Sequence, residues 1–136
     1  MKIAVRYLSK SGNTKKIAEI IATAVGVTAL PISDGLNDSV DLLFLGGALY
    51  AFGIDDELKE FIKKLQHEQV KGVVVFSTTA VVKSAYPHIK KALAERGIAT
   101  LGKEFHCRGQ FSITHKNRPN EQDCESAREF AKQFVK

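Results

Sequence analysis

An α/β fold built on an open parallel sheet is the class that this 136-residue chain predicts. Three observations carry it. Five apolar runs alternate with stretches whose apolar residues recur at helical spacing. One of those runs, "VVVF" at Val73–Phe76, is continuously apolar, which suits a strand covered on both faces. Glycine and proline fall where the periodicity changes. Strands and helices alternating in this way wind into a parallel sheet with right-handed crossovers.

The elements follow in order. The first strand is expected at Lys2–Tyr7, and the helix after it starts near Thr14. Ile17, Ile20, Ile21, Ala24 and Val25 give that helix one apolar face, and Gly26 stands where a left-handed cap ends it. A second strand spans Val27–Ile32. Pro31 and Asp34-Gly35 break the chain there, and the connection Ser33–Val40 is too short for a long helix. The third strand is expected at Asp41–Leu45. The helix carrying Leu58, Phe61, Ile62 and Leu65 comes next, with Asp55 and Asp56 at its start to complement the dipole. Lys71–Phe76 is the fourth strand. Tyr86, Ile89, Ala92 and Leu93 mark a helix closed by Gly97, and a last strand lies near Ile98–Cys107. "RPNEQD" sets Pro119 and Asn120 before an acidic first turn, and Ala127, Phe130, Ala131, Phe134 and Val135 stripe the closing helix.

Composition narrows the function. Hydrophobic residues at 44% and charged residues at 26% read as a water-soluble globule, and the length suits one domain over residues 1–136. No apolar run approaches the roughly 20 residues of a membrane span, so no membrane association is expected. Met-Lys-Ile-Ala-Val-Arg is not a signal peptide, because charge interrupts it; a cytoplasmic setting is expected. Cys107 and Cys124 form no CxxC and give no metal spacing with the four histidines, so no metal is expected. The net charge of +5 is spread along the chain, which favours anionic ligands or acidic partners. Without an aromatic-basic platform it does not indicate nucleic acid.

In open parallel sheets ligands bind at the carboxyl ends of the strands. The first such loop is "YLSKSGNT", Tyr7 to Thr14. Ser9, Ser11 and Thr14 bring hydroxyl donors, Gly12 lets the backbone come close, and Asn13 tolerates a tight turn. A helix start adds unpaired N–H groups and about half a positive charge. Together these groups can wrap one phosphate with neutral donors, with Lys10, Lys15 and Lys16 nearby but not required. The plainer alternative is a well-capped helix after a polar turn. GxxxxGK[ST] and GxGxxG are both absent, so the loop suits a mononucleotide better than a pyrophosphate.

Ser9, Ser11, Gly12 and Thr14 match [ST]-x-[ST]-G-x-T, and in that position they resemble the phosphate loop of flavodoxins. The resemblance continues through "DLLFLGGALYAFGIDDELKEFI", "VVVFSTTA", "EFHCRGQF" and "RPNEQDCESAREFAKQF", and it is to the short-chain type. It implies a flavodoxin-like three-layer sandwich: a five-stranded parallel sheet of order 2-1-3-4-5 with helices on both faces. It further implies noncovalent FMN, one- or two-electron transfer, redox partner proteins (a reductase and an acceptor), and a monomer or weak dimer.

On that reading Ser9, Lys10, Ser11, Gly12, Asn13 and Thr14 hold the phosphate. The third-strand loop, with Gly47, Ala48, Leu49, Tyr50, Ala51, Phe52 and Gly53, approaches the ring. Tyr50 or Phe52 stacks on it, and Ala51, Phe52 or Gly53 offers a carbonyl to the flavin N5–H. Packing of those aromatics inside an ordinary strand-to-helix turn is the alternative. Ser77, Thr78, Thr79 and Ala80 present donors to the pyrimidine edge. Electron-carrier flavodoxins usually show Gly-x-Gly-Asp and a stacking aromatic there, and this chain continues instead with Ala80-Val81-Val82-Lys83. They are also strongly acidic, whereas this chain has a pI near 9.3. No catalytic residue is expected: His106 and His115 show no spaced carboxylate partner, and Cys107 reads as a small buried hydrophobe. Lys103, Arg108, Lys116 and Arg118 cluster near the exit loop, as a solvated face or a dock for an acidic partner.

Two folds of the same topology fail on residues. A receiver domain needs an acidic pair after the first strand and an aspartate ending the third; Ser9-Lys10 and Gly46-Gly47 stand there. A low-mass tyrosine phosphatase needs a cysteine in the first loop with an arginine six residues on, and none is present. Two functions stand: an FMN-binding electron carrier, or an FMN-dependent oxidoreductase acting on a small substrate such as a quinone.

Overall fold

In the computed structural model, residues 1–10, 12–50, 53–79, 86–108 and 119–135 are described. Five parallel strands form one sheet: β1 (Ile3–Tyr7), β2 (Ala29–Pro31), β3 (Leu42–Tyr50), β5 (Val73–Thr79) and β6 (Thr100–Arg108), in the order β2-β1-β3-β5-β6. This is the expected 2-1-3-4-5 arrangement. A two-residue strand not anticipated from sequence, β4 (Gly53–Ile54), runs back antiparallel on the end of β3, pairing Tyr50 with Gly53 and Leu49 with Ile54.

Four helices cover the sheet: α1 (Asn13–Val25), α2 (Asp56–Lys64), α3 (Tyr86–Glu95) and α4 (Glu121–Lys132). Strand alternation divides the core in two. Leu43, Leu45, Val73 and Val75 face Leu58, Ile62, Ile89 and Leu93 of α2 and α3. Val5, Phe44, Val74 and Phe76 face Ile17, Ile21, Ala127 and Ala131 of α1 and α4. Phe44, Phe134, Phe130 and Phe105 extend that second layer as a chain of ring contacts 5.3–5.8 Å apart. Val73–Phe76 is covered on both sides, as its unbroken apolar run predicts. Among the described residues no helix is long and apolar enough to cross a membrane.

The expected stops hold. Gly26 caps α1 at φ 80°, donating to Ala22 and Thr23, and Gly97 lies at φ 71° after α3. The short second connection forms only a 3-10 turn at Ile32–Asp34, ending at Gly35 with φ 68°. Among the described residues no helix lies on the sheet there, and a cavity of about 620 Å3 opens between this segment and α2, floored by Ile32, Leu36, Phe61 and Leu65. Arg6 pins the segment: its Nε donates to the Gly35 carbonyl at 2.8 Å. Partial burial lowers the Arg6 pKa, opposed by the nearby charges of Asp34 and Asp38.

Strand starts shift by one or two residues, and three strand ends differ from expectation. The third strand runs to Tyr50 rather than Leu45, the fourth to Thr79 rather than Phe76, and Ile32 leaves the second strand to begin the 3-10 turn. The pairs Gly46–Phe76, Gly47–Ser77, Ala48–Thr78 and Leu49–Thr79 continue the ladder past the glycines. The glycines read as a loop serve packing instead. A Cβ on Gly46 would enter the Phe76 ring, and one on Gly47 would lie 2.6 Å from Leu58 Cδ2. Hydrogen bonding carries the strand through, and the missing side chains make room for neighbours.

Candidate functional site

The first loop leaves β1 at Tyr7, with the Leu8 N–H still donating to the Gly46 carbonyl at 3.0 Å. The Gly12 N–H turns back onto Ser9 Oγ at 3.0 Å. Gly12 is the N-cap of α1 at φ 91°, a left-handed conformation that a Cβ would strain, and no side chain caps the helix. Lys16 N closes the first helical bond onto the Gly12 carbonyl at 3.1 Å. The first turn holds Asn13, Thr14, Lys15 and Lys16 and no acidic residue. The helix dipole and two cations therefore have the same sign at this mouth.

The starts of α2 and α4 are different. At α2, Asp55 accepts the Glu57 N–H at 2.8 Å, and Asp56 and Glu57 fill the first turn. At α4, Asn120 Oδ1 accepts the Asp123 N–H, and the Asp123 carboxylate accepts the Asn120 N–H, both at 2.9 Å. Both mouths are closed by their own anions and amides.

The structure brings two predicted site segments together in an unexpected way. Thr14 and Thr78 are buried, and their hydroxyl oxygens lie 2.8 Å apart although the residues are 64 apart in sequence. Thr14 thus turns its hydroxyl inward onto β5. Lys10 reaches across to the next loop: its Nζ lies 2.8 Å from Asp55 and 4.0 Å from Glu57. Asp55 is held below the usual carboxylate range, first by the Lys10 hydrogen bond and then by the Glu57 N–H. Lys16 Nζ donates to the Pro119 carbonyl at 2.9 Å, tying α1 to the entry of α4.

Gly47, Ala48, Ser77 and Thr78, expected on loops, lie inside β3 and β5 and are buried. Ser77 shares the face of Val75, and Thr78 that of Val74 and Phe76. Leu49, Tyr50, Gly53 and Thr79 occupy the strand ends at the same edge of the sheet. Ser11, Ala51, Phe52 and Ala80 lie outside the described residues. So do His115, Lys116 and Arg118.

Sequence reasoning missed one pair. His106 Nδ1 lies 2.9 Å from Glu104 Oε1 on β6. Residues two apart on a strand share a face, and that spacing was the available signal. Cys107 is buried in the α1–α4 layer, as a small hydrophobe should be. Tyr86 begins α3, with its hydroxyl 3.4 Å from Thr100 Oγ1. A second groove, of about 320 Å3, runs between α2 and α3, where Lys59, Lys63, His88, Lys91, Arg96 and the acidic Glu95 surround Ile54, Ile62 and Ala92.

A polar, acid-free helix mouth at the carboxyl end of β1 suits an anion with several oxygens. Comparison with known proteins gives the family and the fold. The family model described as "Flavodoxin domain" matches residues 4–112. An uncharacterized protein of Methanocaldococcus jannaschii is 30% identical, over 100% of this chain and 99% of that one. A flavodoxin from the domain Archaea superposes with a TM-score of 0.77 at 17% identity, covering 98% of this chain and 96% of its own. Oxidised flavodoxin 2 from Bacillus cereus gives 0.72 at 21%, covering 98% and 97%.

Proposed function

The chain belongs to the flavodoxin-domain family, and from that premise we propose that it binds FMN and carries electrons between protein partners. The observation that carries this reading is the mouth of α1: a left-handed glycine N-cap, no acid in the first turn, and the polar residues Ser9, Asn13 and Thr14 around it. A phosphate dianion is the group such a mouth accepts best, because backbone N–H groups and the helix dipole both favour it. Ser9, Lys10, Ser11, Gly12, Asn13 and Thr14 make up the phosphate cradle in this proposal. The ring then sits beyond Tyr50 and Thr79, against the strand ends, because side chains buried inside β3 and β5 present nothing to a ligand. FMN supplies one- or two-electron transfer when bound. The protein's own groups hold and orient it.

Partners follow from charge. A chain with net charge +5 docks acidic proteins more readily than basic ones, in a water-filled compartment such as the cytoplasm. The groove between α2 and α3, with more basic than acidic residues in its lining, adjoins Ile54, next to Gly53 at the ring end of the proposed site. Transfer to an acidic acceptor should therefore slow steeply as salt rises.

Titration of the flavin-free protein with FMN tests the reading. Flavin fluorescence should quench at micromolar concentration or below, and unchanged fluorescence would refute it. The basic charge also favours a second reading, an FMN-dependent oxidoreductase acting on a small anionic or quinone substrate. Steady reduction of a quinone by NAD(P)H with the purified protein alone would select that reading. Reduction only through an added reductase selects the carrier.

A further inference from the structure

We infer that the acid-flanked slot between residues 32–37 and α2 is a docking site for a basic amphipathic helix of a partner protein. The slot is the cavity of about 620 Å3 that opens where the connection from β2 to β3 forms only a 3-10 turn.

Topology gives the slot its shape. On one side α2 packs against α3 over the shared core. On the other it faces the short 32–37 segment across the cavity. Asp56, Glu57, Glu60, Phe61, Lys64 and Leu65 line it from α2, at i, i+1, i+4, i+5, i+8 and i+9, so one flank of the helix is presented along its whole length. At about 1.5 Å per residue that flank is about 14 Å long, which matches about two and a half turns of a second helix laid alongside.

The slot is formed in advance. Ile32, Phe61 and Leu65 on its floor are only 8%, 7% and 2% exposed, so the core beneath them is already packed. The facing wall is tied down: Arg6 Nε donates to the Gly35 carbonyl at 2.8 Å, and Gln69 Nε2 donates to the carbonyls of Leu36 and Asp38. A fixed apolar floor of this kind takes a helix whose apolar residues recur at i, i+3, i+4 and i+7.

Charge selects the occupant. The charges of α2 sort by flank: Asp56, Glu57 and Glu60 line the slot with Lys64, while Lys59 and Lys63 line the groove on the α3 side. The wall opposite, with Ser33, Gly35, Leu36 and Asn37, carries no charged side chain. Three carboxylates thus face one ammonium in a chain whose net charge is +5. These carboxylates are exposed, and their cations are exposed too: Lys59 lies 3.7 Å from Asp56, Lys63 3.4 Å from Glu60 and Lys10 4.0 Å from Glu57. Exposed pairs are weak, so lysines or arginines on an incoming helix can take the carboxylates over. At physiological salt, charges beyond about 8 Å are screened, and the local sign governs the contact. An acidic flank therefore admits a basic helix and rejects an acidic one.

The test uses a helical peptide of leucine and lysine, about four turns long, with leucine at i, i+3, i+4 and i+7. Two controls accompany it: the same composition in scrambled order, and a version with glutamate for lysine. Amide chemical shifts of the whole chain are followed by 15N NMR at about 0.15 M salt. The patterned basic peptide should move amides in 33–37 and 56–65, with a midpoint at least about 10-fold lower than the scrambled one. The glutamate version should leave those amides unmoved. Glu57→Lys with Glu60→Lys should weaken binding about 10-fold, whereas Glu125→Lys with Glu129→Lys on α4, the same change of net charge elsewhere, should alter it less than about 2-fold. Thermal melts establish that each variant is folded; if the first pair unfolds, Glu57→Gln with Glu60→Gln replaces it and should weaken binding about 3-fold. Equal midpoints for patterned and scrambled peptides overturn the inference. So do shifts confined to the α2–α3 groove, or an equal loss from the α4 variants. If concentrating the protein alone moves the same amides, a second copy is the occupant and the partner helix is refuted. None of these readouts involves flavin, so failure here leaves the FMN proposal standing.

Discussion

At Asn120 the chain closes a helix with its own side chains, and at Gly12 it leaves one open. Asn120 and Asp123 exchange hydrogen bonds across the start of α4, with Glu121 beside them. Gly12 offers α1 no side chain, and the first turn behind it holds two lysines and no acid. Both starts carry the same partial positive charge. One is neutralised within the fold. The other has no side-chain cap and no acid in its first turn, and it lies at the carboxyl end of the sheet, where parallel α/β folds bind ligands. The two helix starts thus differ in whether the protein supplies its own anion, which is the contrast the proposed phosphate site depends on.

The largest effect should come from making the α1 mouth resemble the α4 mouth. Asn13→Asp puts a carboxylate where the phosphate is proposed to bind. Like charges about 4–5 Å apart repel by roughly 3–4 kcal/mol at an effective dielectric near 20. FMN affinity should fall about 100-fold or more, with riboflavin affinity unchanged and thermal stability equal or slightly higher. Isothermal titration with both flavins measures it. A parallel loss of riboflavin would show that the ring end had been disturbed instead.

The reverse change is smaller. Asn120→Ala removes the capping box of α4 and should cost about 1 kcal/mol, a drop of a few degrees in melting temperature. FMN affinity should stay as it was. If FMN binding weakened along with stability, the two mouths would be coupled, with Lys16 and Pro119 as the connection.

The third effect is the smallest and depends on pH. Asp55 closes α2 and pairs with Lys10 of the first loop, which lowers its pKa in the folded state. A lowered pKa adds stability above the unfolded value near 4 and loses it as pH falls through the folded value. Asp55→Asn should therefore be less stable than wild type by under about 1 kcal/mol at neutral pH. That gap should close below about pH 4. Urea unfolding across pH 2–7 reads it, and a gap that ignores pH would remove Lys10 as the cause.

Much of this architecture was legible in the residues. The stripe from Ile17 to Val25, the stop at Gly26, the cap at Asn120 and the unbroken Val73–Phe76 run each reflect interactions within a few residues of chain. The start of α1 just after Gly12 was legible for the same reason, since the glycine and the helical stripe are contiguous. The glycines at Gly46 and Gly47 were not. From sequence they resemble a flexible turn beside a ring; in the fold they are strand residues that admit Phe76 and Leu58. Glu104 and His106 were within reach, because a strand spacing of two would have paired them.

By itself the sequence determined the periods, the caps and the polar loop at the first helix, because hydrogen bonds and rotamers along a short stretch set them. Tertiary structure alone decided where β3 and β5 end, that Thr14 turns inward to Thr78, and that Lys10 spans to Asp55. Those outcomes depend on which residues the sheet order places side by side, and the partners lie tens of residues apart. Local chemistry cannot select among such distant partners until the core has packed.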